Sequence, residues 1–207
     1  TIIINGNQDS TNLFNYVGYS TNCAVTNEAS NKIIKNIDPR FFKVAVMDKP
    51  TEDEKRRPFL YRYVINIPQA GKFTFMDGGC LDEVTKQKLS GKITDEEYKR
   101  KIESVKRFER QLSDNGYLVI KFFFHIGEQE QRKRLTRLLD DKNTRWRVSE
   151  YDLWQNQHYK KSLKAFDQFI DDTSQSIAPW YIVDATDKKW AQLQILETLV
   201  QAIDTAL

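Results

Sequence analysis

"KRFERQLSDNGYLVIKFFFHIGEQEQRKRLTRLLD", residues 106–140, carries three structural signals in succession. A helical stretch, Thr94–Leu112, is stopped by Asp114, Asn115 and Gly116, residue types that end helices and turn the chain. The run 117–124 is too apolar to alternate with polar residues, the pattern of a strand covered on both faces. After Gly127 a second helical stretch begins, Glu128–Leu139, opening a segment, 128–172, whose first half is too basic to be buried.

The same alternation recurs along the 207 residues. Strands are predicted at 2–5, 42–47, 72–77, 117–124 and 180–185, and helices over Glu52–Ile67, Thr94–Leu112, Glu128–Leu139, Ser149–Asp172 and Asp187–Leu207. "TDEEY" at 94–98 and "SEYD" at 149–152 have the spacing of helix caps. Five short apolar strands separated by helices predict an α/β domain, a five-stranded parallel sheet with helices on both faces. Ligands of such sheets sit beyond the carboxyl ends of the strands. That edge would hold the loop after Asn5, Asp48 with Lys49, the turn after Asp77, His125 with Gly127, and Asp184. No repeat or second domain is evident, and residues 1–207 read as one domain with a helical lid at about 128–172.

Hydrophobic residues make up 40% and charged residues 29%, the balance of a globular protein and not of a disordered tail. No apolar run approaches the roughly 18 residues of a membrane-spanning helix. The start lacks the basic region and long apolar stretch of a secretory signal, and beginning within a strand it reads as a cut or processed chain. Cys23 and Cys80 are the only cysteines, which points to a reduced, cytoplasmic setting. The net charge of +3 is modest, but Arg132, Lys133, Arg134, Arg137, Lys142, Arg145 and Arg147 crowd one stretch and call for an anionic partner. A nucleic acid is the weaker choice, because no reading module or stacking array accompanies the charge.

"RRPFLYRYVINIPQAGKFTFMD", the block 106–152 and "TSQSIAPWYIVDATDKKWA" resemble the polyphosphate kinase 2 family, in order, from about Asp38 to the C-terminus. The resemblance implies a P-loop-kinase-like fold. It also implies phosphoryl transfer between polyphosphate and AMP or ADP, with magnesium as cofactor. Polyphosphate and nucleotide are the implied partners, with a homo-oligomer or a second domain of a tandem fusion beside them.

The family's phosphate loop has the form G-x-D-x-x-G-K-G. Here Gly6 is followed by Asn7, Gln8, Asp9, Ser10, Thr11 and Asn12, so Asp9, which the resemblance implies as the catalytic aspartate of the loop, falls one place late and the lysine is missing. Starting the loop at Gly18 instead, in "GYSTNCAVTN", also yields no lysine. After the third strand the family shows F-D-R-S-W-Y, and this chain reads "MDGGCLDEV". Asp77 takes the aspartate position, implied to be catalytic and to hold the metal, while Gly78 stands where the arginine would be. A second account of Asp77 is a carboxylate that caps a turn.

The resemblance assigns polyphosphate and nucleotide contacts to Arg62, Arg134, Arg137, Arg145 and Arg147. Arg134 and Arg137, three apart on a helix, share a face. Two functional readings follow: a catalytically degenerate half with a structural or polyphosphate-binding role, or an active phosphotransferase with a divergent phosphate loop. His125 is expected to be a hydrogen-bonded strand end, and Asp187 to cap the last helix.

Overall fold

Residues 2–5, 38–47 and 50–206 are described by a computed structural model. Five strands, β1 (Ile2–Asn5), β2 (Phe42–Val46), β3 (Phe73–Asp77), β4 (Tyr117–His125) and β5 (Trp180–Asp184), are hydrogen-bonded in the order β2-β3-β1-β4-β5. β2 runs parallel to β3, and β4 parallel to β5. β1 lies between the pairs and runs antiparallel to both neighbours. The expected all-parallel sheet is thereby corrected to two parallel pairs joined through an antiparallel strand. The reason is physical: a run of three isoleucines, Ile2–Ile4, signals burial but carries no direction.

Eight α-helices lie among the described residues: α1 (Glu52–Lys55), α2 (Tyr61–Val64), α3 (Cys80–Leu89), α4 (Asp95–Asp114), α5 (Glu128–Asp140), α6 (Glu150–Gln157), α7 (Tyr159–Thr173) and α8 (Lys188–Ala206). None is long and apolar enough to cross a membrane. The helix expected over Glu52–Ile67 is two short ones with Pro58 between them, since proline removes a donor and clashes with the preceding turn. The helix expected over Ser149–Asp172 breaks at His158, whose backbone leaves the helical region. α3 fell in a stretch read only as a loop motif.

Local signals elsewhere act as expected. Thr94 with Glu97 and Ser149 with Asp152 form complete capping boxes at α4 and α6. Asp187 accepts hydrogen bonds from the backbone N–H groups of Lys189 and Trp190 and so caps α8.

α3, α4 and α7 pack on one another and α4 lies against β4, whereas α8 runs along β4 and β5. Phe123 meets Phe166 of α7, and Phe169 meets Trp180 of β5 edge to face. Phe166, Phe169 and Ile170 are buried. The segment expected to form a lid, 128–172, therefore ends in a helix of the core. An apolar helix face of this width is held by burial against its neighbours.

One polar cluster ties these layers together. Lys121, in the middle of β4, places Nζ 2.8 and 2.9 Å from the two carboxylate oxygens of Glu109 on α4 and 3.0 Å from the Thr173 carbonyl. The Gln175 amide donates to the same carboxylate, and the Trp180 ring lies 5.1 Å from Nζ.

Candidate functional site

A cleft of about 1060 Å³ opens beyond the carboxyl ends of β2 and β3. Gly78 and Gly79 lead from β3 into α3, which supplies Asp82, Glu83 and Lys86, while α6 supplies Tyr151 and Gln155 opposite. Gly78 has φ 78°, and a Cβ there would sit 3.5 Å from the Met47 side chain and carbonyl. Glycine enters this left-handed region without strain, whereas a residue with a side chain is penalised.

Arg62 of α2 reaches the cleft with a side chain only 10% exposed, its Nε 3.4 Å from Glu54 and its Nη1 3.7 Å from Glu83. The Tyr63 hydroxyl donates to the same Glu83 carboxylate at 3.0 Å. From α3 the Lys86 ammonium reaches across to α6 and lies 3.9 Å from the centre of the Tyr151 ring. Tyr151 stacks on Trp154, which stacks on His158. The ladder uses these ring faces on one another, so it stiffens the wall of the cleft and positions Lys86.

Asp82 is half-buried on the cleft floor. Burial first, and the Asp77 charge second, push its carboxyl from the ordinary 3.8 up to about 8. Folding thus favours the neutral form. Its contribution to stability is complete below about pH 4 and is lost as the pH rises through about 8. Asp82→Asn is neutral at every pH. In metal-free buffer its melting temperature should gain on that of the natural protein steadily between pH 5 and 8. A gap that stays constant across this window would mean that Asp82 titrates like an exposed carboxylate.

Asp77 is the last residue of β3 and is half-buried. Among the described residues no group of three or more His, Cys, Asp or Glu side chains is arranged to hold a metal ion. Magnesium is commonly held by one or two carboxylates together with phosphate oxygens, and the neighbouring Asp77 and Asp82 fit that smaller donor set. Asp9 and both alternative phosphate loops lie outside the described residues.

The four basic residues expected along the lid separate in the structure. Arg134 is buried: its Nε donates to Glu130 at 2.7 Å, and its Nη2 donates to the carbonyls of Ala185 and Thr186 at 3.0 and 2.9 Å. It does face a strand end, but as a clamp between α5 and the loop after β5. Arg137 and Arg145 are exposed, and Arg147 is half-buried in a 3-10 turn, Arg145–Arg147, beside the outward Trp146. None of the four lines the cleft. A shallower hollow of about 600 Å³ lies where β4 and β5 end, bordered by Gly127, Glu128, Glu130, Lys133 and Thr186.

His125 accounts for itself structurally. The Tyr159 hydroxyl donates to the Ile126 carbonyl at 2.7 Å and lies 2.9 Å from His125 Nε2. With its one proton committed, the hydroxyl accepts, so Nε2 carries the hydrogen.

Sequence reasoning missed Asp82, Lys86 and Tyr151. The available signal for the first two was an amphipathic run, Leu81, Val84, Thr85, directly after a glycine pair, with the charged residues on its other side. The capping box at 149–152 had already placed Tyr151 in the first turn of a helix.

An α/β sheet with parallel pairs and a charged cleft at the strand carboxyl ends defines an α/β protein whose cleft lies where the ligands of such sheets sit. A family model described as polyphosphate kinase 2 matches residues 19–207, and the chain belongs to that family. Over 178 residues it is 31% identical to a polyphosphate:AMP phosphotransferase of Pseudomonas syringae pv. tomato, covering 86% of this chain and 36% of that protein. It is 27% identical over 172 residues to an AMP/ADP-polyphosphate phosphotransferase of Meiothermus ruber, covering 83% of this chain and 64% of that protein. A crystal structure of polyphosphate kinase 2 from Arthrobacter aurescens superposes with a TM-score of 0.85 at 26% identity, covering 91% of this chain and 67% of the other. The chain thus spans about a third of the length of the Pseudomonas relative and under two thirds of the Meiothermus one. The family match begins at residue 19, so Gly6, Gly18 and β1 all lie before it.

Proposed function

We propose that this domain binds polyphosphate and a nucleotide but transfers phosphoryl groups weakly or not at all, acting as a structural or polyphosphate-binding unit beside a catalytic partner domain. Family membership supports the substrate class. The observation that carries the loss of catalysis is the end of β3, where Gly78 in a left-handed turn follows Asp77 and stands at the position of the family's phosphate-gripping arginine. The absence of a lysine after Gly6, or within the loop length after Gly18, points the same way. Removal of one preorganised donor costs roughly 100- to 1000-fold in rate, and two are missing. Asp77, with Asp82 beside it, would hold magnesium, which when bound screens phosphate charge. The setting that fits the cysteine usage is cytoplasmic.

Turnover of AMP or ADP with polyphosphate and magnesium should fall far below the roughly 1–100 per second of ordinary kinases. Calorimetry should still detect polyphosphate binding that weakens steeply with salt, since exposed charges are screened over about 10 Å at 0.1 M. Replacing Lys133, Arg137 and Arg145 together by alanine should weaken that binding and leave the melting temperature nearly unchanged, as all three are exposed. Turnover at ordinary kinase rates would overturn the degenerate reading in favour of an active enzyme with a divergent loop.

A further inference from the structure

Three helices meet around one cation at the wall of the cleft. Arg62 stands on α2, and its guanidinium lies between Glu54 of α1 and Glu83 of α3. The Arg62, Glu54 and Glu83 side chains are 10, 23 and 19% exposed, so salt and water screen the group poorly. Both carboxylates are fixed by other partners. Glu54 belongs to the capping box of α1: its Oε2 accepts from the Thr51 N–H at 2.8 Å, which leaves Oε1 toward Arg62. Glu83 accepts from the Gln87 amide at 3.3 Å through Oε1. Its Oε2 accepts from the buried Tyr63 hydroxyl at 3.0 Å and is the oxygen that faces Arg62 Nη1.

The arrangement has a consequence for charge. One guanidinium meets two carboxylates, so the group as a whole is negative. A phosphate arriving in the cleft is repelled there, where Arg62 by itself would attract it. Glu83 also lies in the first turn of α3, a place where the helix dipole favours negative charge. The dipole accounts for an acidic residue in that turn. It does not account for Arg62 and Tyr63 reaching the same carboxylate oxygen from another helix.

We infer that Glu83 is a specificity-determining residue, whose carboxylate occupies Arg62 as an internal substitute for an anion and keeps this wall of the cleft closed to phosphate. The inference rests on the reading that phosphate compounds are the substrate class of this domain. Glu83 acts through Arg62 and touches no ligand itself, so its role is one of positioning. The exposed Lys133, Arg137 and Arg145 lie outside the cleft and keep their access to an anion.

Calorimetric titration of the full chain with inorganic pyrophosphate in metal-free buffer tests it. Glu83→Gln keeps an acceptor for Tyr63 and removes the charge, and it should bind pyrophosphate about tenfold tighter than the natural protein. Glu83→Asp keeps the charge and should show no gain. Adding Arg62→Met to Glu83→Gln should erase the gain, with the fold checked by circular dichroism. A Glu83→Gln protein that binds no better than the natural one overturns the proposal. A gain that persists without Arg62, or that Glu83→Asp shares, overturns it as well. The reading of the exposed basic residues is tested separately: their triple replacement should weaken binding of long polyphosphate and leave the pyrophosphate gain of Glu83→Gln intact.

Discussion

Lys121→Ala is expected to cost about 3–5 kcal/mol of stability, the usual result of removing one partner of a buried ion pair. The Lys121 and Glu109 side chains are 1 and 7% exposed. Burial pushes the Glu109 carboxyl up and the Lys121 ammonium down, while each partner's charge pulls the other way. Without the ammonium, Glu109 keeps only the Gln175 donor and the Thr173 carbonyl loses its partner. For a chain of this length the melting temperature should fall by about 10 °C or more. Replacing both members by methionine should recover most of the loss, because a well-packed apolar pair needs no compensating charge. Thermal unfolding followed by circular dichroism decides between these outcomes. A single variant that melts with the natural protein would show that water reaches the site and satisfies Glu109.

Arg134→Ala is expected to cost about 2–3 kcal/mol, or roughly 5–10 °C in melting temperature. Its guanidinium forms three charge-assisted hydrogen bonds from a side chain that is 7% exposed. Truncation leaves the Ala185 and Thr186 carbonyls without this donor at the point where β5 hands over to α8. Arg134→Lys should recover only part of the loss, since an ammonium is a point donor and cannot reproduce the planar fork. Arg137→Ala, three residues on and exposed, should shift the melting temperature by no more than about 2 °C. Equal effects at 134 and 137 would mean that the clamp on the β5 loop adds nothing. The contrast also separates two kinds of basic residue that share one charged run: Arg134 shapes the scaffold, and its neighbours Lys133 and Arg137 are available to an anion.

What the sequence alone determined lies within a few residues of each signal. Capping at Thr94, Ser149 and Asp187 depends on hydrogen bonds to groups at most three residues away. The stop at Asn115 and Gly116 depends on one backbone conformation, Gly116 at φ 78°. Strand positions follow from unbroken apolar runs, and the ordered blocks from 38 onward were enough to recognise the family. Only the tertiary structure decided the rest. The direction of β1 depends on its neighbours, because backbone hydrogen bonds can be satisfied in either sense and side chains do not specify which. The burial of Arg134 depends on carbonyls 51 and 52 residues away, and that of Lys121 on a carbonyl 52 residues away. The cleft assembles α2, α3 and α6, whose residues are separated by tens of positions. Charge and spacing show which side chains lie on a helix face, but whether a cation there meets solvent, a carboxylate or a strand end is set by what packs against that face.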